Sequence, residues 1–436
     1  MAKKAIEEVS KPAIPENLVG KKVVLVNHSD TLGGAAIVTF RLMQALRKQG
    51  VDARMVVFTK YSQEPMVDSV GSRFGRSMRF VLERLKLWVL HGVPYSKVFM
   101  VSTSDFAINV NRHPWVKEAD IVCLNWFNQG LLGLEGIRKL HRMGKKIVWT
   151  MHDMWAFTGI CHHAYECDHY RDACGNCMFL SGGGRPNDIS HRVLEAKRRL
   201  YAEVPISFVT VCTWLERKAK ASALLHDQQV RTIHNAFPTE QFYTTPKQTV
   251  GSLLTNMKPN VILFVAARID DPIKGLDYTI EAVNRIFDNN PEIAQNTAIY
   301  FIGGMKHPER LDEVRLSHRW LGMVTDIKML SYLYASAKVV VSTSLYENLA
   351  GTLIEGQASG ALPVTFGEDG RADIVEHKKN GYIARYKDSA DVARGILWAL
   401  QANVSREKLH HSVEERFGSA TIARRYIDLF SELLAK

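Results

Sequence analysis

The sequence predicts an α/β protein built from two Rossmann-like domains that face each other across a cleft. Three observations carry that expectation. The length of 436 residues suits two domains of about 200 residues each. Two successive series of strand-like and helical runs follow one another along the chain, and a polar, turn-rich stretch separates them. The expected division is a loose N-terminal arm at 1–20, a first domain over 21–237, a second over 238–418 and a closing helix over 419–436.

The first series opens at Lys22–Asn27, a short β-rich run that ends in turn residues. Gly33-Gly34 follows. Ala35–Gln49 then has helical periodicity, with Ile37, Phe40, Leu42, Ala45 and Leu46 along one flank. Val51–Phe58 completes a strand–glycine turn–helix–strand unit, the start of a parallel sheet. Further strands are expected at Asp120–Leu124, Lys146–Met151 and Ile206–Cys212. After the pause at Thr239–Pro259, the second series has strands at Val261–Ala267, Ala298–Ile302, Lys338–Thr343 and Leu362–Phe366. Helices are expected at Leu276–Phe287, Leu349–Ser359 and Thr421–Leu434, the last free to pack on either domain.

Composition narrows the class. Hydrophobic residues make up 46% and charged residues 23%, which is globular and not disordered. No apolar run reaches the roughly 18–20 residues that span a bilayer. Met1-Ala2-Lys3-Lys4 is charged but precedes no apolar stretch, so a cytoplasmic location without a signal peptide is expected. The formal net charge of +11 points to an anionic partner. No nucleic-acid module accompanies it, so nucleic acid is not the expected partner. Cys123 and Cys212 lie in apolar runs and read as buried small hydrophobes.

Three stretches carry the chemistry. Gly33-Gly34 between a strand and a helix lets a diphosphate approach the helix N-terminus, with its free N–H groups and partial positive charge. For a lone Gly-Gly the plainer reading is a tight turn that only helps the helix pack. Arg268 and Lys274, in Arg268-Ile-Asp-Asp-Pro-Ile-Lys274-Gly275, follow a strand whose carboxyl end borders the ligand crevice of open α/β sheets. Arginine grips phosphate through two N–H groups and lysine supplies a point charge. A solvated basic loop is the plain alternative. Ser344–Glu355 is the most specific stretch, with Glu347 and Glu355 eight positions apart across a strand-to-helix junction. Glu347 precedes the helix and Glu355 is expected about two turns within it. The backbone of Asn348, Leu349, Ala350, Gly351 and Thr352 would turn N–H groups toward phosphate. Simple complementing of the helix dipole would also place an acid there.

Taken in order, Arg268…Lys274-Gly275 followed by Glu347-x7-Glu355 resembles the donor site of retaining glycosyltransferases of family 4, which have the GT-B fold. Thr343–Ile354 (TSLYENLAGTLI) is similar to the same family, and Ile233-His-Asn235-Ala-Phe resembles its interdomain segment. Two departures stand out: the Arg268–Lys274 spacing is one residue longer than the commonest form, and Ala236 replaces the usual glycine. The resemblance implies a nucleotide-sugar donor and a glycan or lipid-linked acceptor in bacterial surface polysaccharide biosynthesis. It implies that Glu355 binds the ribose and Glu347 the transferred sugar, while Arg268 and Lys274 hold the diphosphate. It matches His152 to a histidine that touches the sugar near the reacting carbon. No metal cofactor is expected for transfer. Two rivals stay open: a nucleotide-sugar epimerase on the same fold, and a noncatalytic basic binding protein.

Two further features lie outside that motif set. Cys161, Cys167, Cys174 and Cys177 place four thiols within seventeen residues. Cys174-x2-Cys177 is a half-site for structural zinc, and the cluster resembles an insert in some polysaccharide glycosyltransferases. Reduced cysteines in an irregular loop are the alternative. Arg73–Val89 puts Phe74, Met78, Val81, Leu85 and Trp88 on one helical face, with Arg76, Arg79, Glu83 and Lys86 on another. Inward packing of the apolar face is the expected use. Peripheral contact with an anionic membrane, at the inner face of the cell membrane, is the alternative that lipid-linked acceptors favour.

Overall fold

The computed structural model describes residues 14–108, 110–242, 244 and 258–436. It contains two compact units. The first runs to Val211 and adds Glu216–Ala236 and Ile422–Lys436; the second is Cys212–Leu215 with Phe237–Thr421. The chain therefore does not divide at one cut after residue 237. Of the expected N-terminal arm, residues 1–13 lie outside the described residues. The rest is not loose: Leu18 is 1% exposed within the first core, and Asn17 and Ser431 exchange hydrogen bonds of 2.9 Å.

The first unit is a seven-stranded sheet: β1 (Lys22–Ser29), β2 (Asp52–Thr59), β3 (Val67–Ser69), β4 (Ile121–Leu124), β5 (Lys146–Met151), β6 (Ile206–Thr210) and β7 (Val230–Thr232). All pairs are parallel, in the order β3-β2-β1-β4-β5-β6-β7. The central strands are near-continuous apolar runs because both sheet faces are covered: β4 is buried at every position. The helix Ser419–Ala435 sends Ile422, Tyr426 and Phe430 into this core, and Tyr426 Oη meets Thr150 Oγ1 at 2.9 Å.

The second unit has six parallel strands: β8 (Asn260–Arg268), β9 (Thr297–Gly304), β10 (Ser317–Trp320), β11 (Val339–Ser342), β12 (Leu362–Phe366) and β13 (Tyr382–Ala384). Their order is β10-β9-β8-β11-β12-β13. Two parallel-sheet, Rossmann-like units bear out the predicted α/β class. In each sheet the strand order reverses direction at one point, between β1 and β4 and between β8 and β11. Open α/β sheets bind ligands outside the carboxyl ends of the strands at that point.

Two helices depart from expectation. The one predicted from Leu349 begins at Gly351 and ends at Ala358, so Glu355 lies one turn inside it, not two. Leu349 and Ala350 stay in the preceding loop, with Ala350 in an extended conformation as N-cap. The helix α2 (Arg73–His91) forms where periodicity placed it, but its apolar face does not pack inward. Phe74, Met78, Val81, Leu85 and Trp88 are exposed, while Glu83, Arg84 and Leu87 are buried. No helix among the described residues is long and apolar enough to cross a membrane.

Candidate functional site

In the second unit, the loops after β8 and β11 are fastened to each other. Leu345 N–H donates to Ile273 O at 2.7 Å, and Thr343 Oγ1 donates to Gly275 O at 2.8 Å. Gly275 has φ +63°, and a Cβ there would stand 2.1 Å from Thr343 O. Only glycine allows this approach. The result brings two sequence-distant candidates together: Lys274 Nζ lies 2.9 Å from a Glu347 carboxylate oxygen, both half-buried. Arg268, the last residue of β8, pairs with Asp271 at 2.9 Å. Each cation of the basic loop thus holds a carboxylate partner, which fixes its direction at the reversal point of the sheet.

The Glu347 loop is held from beneath by residues that sequence reasoning did not single out. Arg371 is fully buried and reaches both carboxylate oxygens of Asp369, at 2.8 and 2.9 Å. It also donates to Ser344 O at 2.5 Å. Asp369 accepts the Glu347 backbone N–H at 2.8 Å. Burial pushes the Asp369 carboxyl above its ordinary pKa, with Arg371 opposing that shift. Gly370 meets the other end of the loop, since a Cβ there would lie 1.5 Å from Asn348 O. The available signal was the turn-like run Gly367-Glu-Asp-Gly-Arg371 just past β12; its partner across the loop was not marked. Gly351 opens the following helix, whose N-cap Ala350 supplies no side-chain cap, so the first N–H groups depend on other acceptors.

The remaining candidates belong to the first unit. Gly33 is the N-cap of α1 (Gly34–Lys48), again without a side-chain cap. Nothing lies within 4 Å of a Cβ built on Gly33 or Gly34, so close packing does not explain this glycine pair. Asp30 ties the turn down by accepting Tyr61 N–H at 2.9 Å and Ser62 N–H at 2.8 Å. His152 follows β5, and its Nε2 is 3.1 Å from Asn125 Oδ1. Asn125 Nδ2 donates to Cys123 O at 3.2 Å, which turns the Oδ1 acceptor to the ring and assigns the proton to Nε2. Burial lowers the His152 pKa to about 4, so the imidazole is neutral at pH 7. Beside it, Asp153 accepts from Trp126 Nε1 and from His162 Nδ1, each at 2.7 Å. Trp126, Asp153, His162 and Phe99 line a cavity of about 260 Å³.

The cysteine cluster lies in the stretch after β5. Among the described residues no group of three or more His, Cys, Asp or Glu is arranged to hold a metal, and all six cysteines are free. Burial raises the Cys174 thiol to about 11 and Cys161 further. The loop is fastened by other bonds. Lys197 is fully buried and donates to Thr158 O and Gly159 O at 3.0 Å, and also to Trp155 O. Its ammonium stands 3.5 Å over the Trp155 ring, and burial draws its pKa down to about 7. Lys197→Met would strand three carbonyls, each costing about 1–3 kcal/mol when buried unsatisfied. A stability loss of roughly 3 kcal/mol or more is expected in urea denaturation, and an unchanged midpoint would show that the loop does not depend on this ammonium.

Comparison with known proteins agrees with the fold. Residues 259–402 match the model of the family described as Glycosyl transferases group 1. An uncharacterized glycosyltransferase of Methanocaldococcus jannaschii is 23% identical over 317 residues, covering 69% of this chain and 77% of that protein. Sucrose-phosphate synthase from Thermosynechococcus elongatus superposes with a TM-score of 0.63 at 15% identity, over 95% of this chain and 99% of that one. Anabaena Alr3699/HepE in complex with UDP-glucose gives 0.59 at 14% identity, over 94% and 99%.

Proposed function

We propose that this glycosyltransferase moves a hexose from a nucleotide-sugar donor to a glycan or lipid-linked acceptor, retaining the anomeric configuration and using no divalent metal. The observation that carries this reading is the Lys274–Glu347 pair, fixed at the sheet reversal between β8 and β11. Ligands of open α/β sheets gather at that place. The Anabaena structure with UDP-glucose supports the donor class.

In this mechanism the bond from the anomeric carbon to the diphosphate oxygen breaks and negative charge collects on the leaving group. Lys274 has three donors, and Glu347 takes one, leaving two for phosphate oxygens. Arg268 adds a planar fork. The backbone N–H groups of 348–352 and the helix starting at Gly351 offer further donors to the anion. The acceptor hydroxyl attacks the same face of the sugar, and its proton passes to the departing phosphate oxygen. Catalysis then rests on positioning and on charge stabilisation. Glu347 would hold the sugar hydroxyls and Glu355 the ribose. The setting we infer is the assembly of a surface polysaccharide, and the +11 charge suits an anionic or lipid-borne acceptor.

A thermal-shift panel of nucleotide sugars tests the donor class, because a ligand of the native state raises stability. Glu355→Ala should weaken the stabilising nucleotide by about 1.5–3 kcal/mol, the worth of a charged hydrogen bond. Equal donor affinity of both proteins in calorimetry would take Glu355 out of the ribose contact.

A further inference from the structure

We propose that a cavity of about 560 Å³ in the first unit binds a sugar phosphate. It is lined by the segment 103–108, by Lys86 of α2, and by residues of the helices Leu134–Arg142 and Ile189–Glu203. The buried side of α2 holds the first of these walls in place. Glu83 accepts the Thr103 and Ser104 N–H groups at 3.1 and 3.2 Å. Arg84 donates to Val98 O at 2.5 Å and to Val101 O at 3.1 Å, just before the segment. Gly133, the N-cap of the helix Leu134–Arg142, brings the second wall against it. A Cβ on Gly133 would stand 2.8 Å from Ser104 O, so only glycine permits this approach. The walls are thus joined through backbone, and the volume falls in the range of about 300–1,000 Å³ used by small-molecule sites.

The lining asks for an anion. The helix Leu134–Arg142 has no side-chain cap, so its first N–H groups lack an intrahelical acceptor and carry the positive end of the helix dipole. Leu134, Glu135 and Gly136 of that turn line the cavity. So do Lys139 and Arg192, and no carboxylate is paired with either among the described residues. The carboxylates of the lining are already engaged. Asp105 meets Lys86 at 2.6 Å, and Glu135 meets Arg142 at 3.2 Å and Arg138 at 3.6 Å. Thr103 gives an independent sign. It is 5% exposed, lines the cavity, and its Oγ1 has no hydrogen-bond partner. A buried hydroxyl is costly in that state, and a ligand oxygen would relieve it. A phosphate monoester brings three acceptor oxygens and about two charges to such a set of donors. The remaining wall is too apolar for a bare ion. Phe106, Ile108, Leu134 and Val193 suit the C–H faces of a sugar ring. The choice of a sugar rests on the glycosyltransferase reading, and the choice of a phosphate on the cavity alone.

Calorimetry on the full chain with glucose 1-phosphate, inorganic phosphate and glucose tests the site. Glucose 1-phosphate should bind at least about tenfold tighter than either of the others. Lys139→Glu and Arg192→Glu alter exposed positions, and circular dichroism checks the fold. Each should weaken glucose 1-phosphate by at least about tenfold, the usual loss of a charged hydrogen bond. Thr103→Val keeps the side-chain shape and should lose roughly two- to tenfold. Absent binding at millimolar concentration, or equal binding of glucose, would overturn the proposal. So would equal binding of inorganic phosphate, which would leave the apolar wall without a role. A loss in Lys274→Ala with none in Lys139→Glu or Arg192→Glu would put the ligand at the donor loops and overturn the site as well. The methyl diester of glucose 1-phosphate identifies the source. Tighter binding of the monoester supports a free sugar phosphate, and tighter binding of the diester supports one linked to a lipid or glycan. Binding here without stabilisation by any nucleotide sugar would sink the donor reading alone, and the converse would sink this site alone.

Discussion

Lys274→Ala should lower turnover at saturating donor by about 10²–10³, the usual cost of removing one preorganised electrostatic contact. The reason lies in when the charge appears. Before reaction the diphosphate charge is shared with the sugar bond, and it grows as that bond breaks. An interaction that strengthens toward the transition state raises turnover itself, not only apparent affinity. Lys274 is aimed for this by Glu347 at 2.9 Å, so alanine removes the donor and also leaves Glu347 without its counter-charge. Arg268→Lys should also be poorly tolerated, since a point charge does not reproduce a planar fork. Turnover is measured for both variants with a defined donor and acceptor, and circular dichroism confirms the fold. Wild-type turnover in both would mean that these cations bind the donor without assisting departure.

Arg371→Leu should cost about 3–5 kcal/mol of stability, the range for stripping one partner from a buried ion pair. Against a total of about 5–15 kcal/mol, that is enough to leave much of the chain unfolded at moderate temperature. Asp369 would lose the guanidinium that opposes the upward pull of burial on its pKa. Ser344 O would lose its donor, and Asp369, which accepts the Glu347 N–H, would lose the partner that orients it. A second variant separates fold from function. Asp369→Leu/Arg371→Leu removes both charges and should regain part of the lost stability. It should not regain donor affinity, because removing Asp369 takes away the acceptor of the Glu347 N–H. The denaturation midpoint of Arg371→Leu decides the first claim, and calorimetry on the double variant decides the second. Full donor affinity in the double variant would show that the buried pair supports the core and not the loop.

The parts of the fold legible in the sequence were those whose cause is local. Strands such as Lys146–Met151 are buried on both faces and read as apolar runs. Short edge strands escape that reading: Ser317–Trp320 is exposed at every position and carries no apolar signal. The candidate donor residues fall in two stretches, each following one strand, so the pattern within each stretch is local, but the meeting of Lys274 with Glu347, 73 positions on, is not. Arg371 could not be read, because its partner Ser344 O lies 27 positions away and a backbone carbonyl leaves no mark in a sequence. α2 shows a third limit. Periodicity reveals that a helix has two faces, but which one turns inward depends on what the neighbouring segment offers. Here it offered backbone groups, which chose Glu83 and Arg84.

The helix Ser419–Ala435 has a consequence for how the protein is made. Tyr426 and its neighbours complete the core that β1 and β2 begin, yet 190 positions separate Thr232, the end of β7, from Ile422. At a synthesis rate of about 5–20 residues per second, the ribosome needs roughly 10–40 seconds to cross that interval. Throughout it, the growing chain carries a sheet whose apolar groove has no occupant. The second unit is then, in folding terms, a long loop that must close before the first can be sealed, and unit-by-unit completion in order of synthesis is not open to this topology.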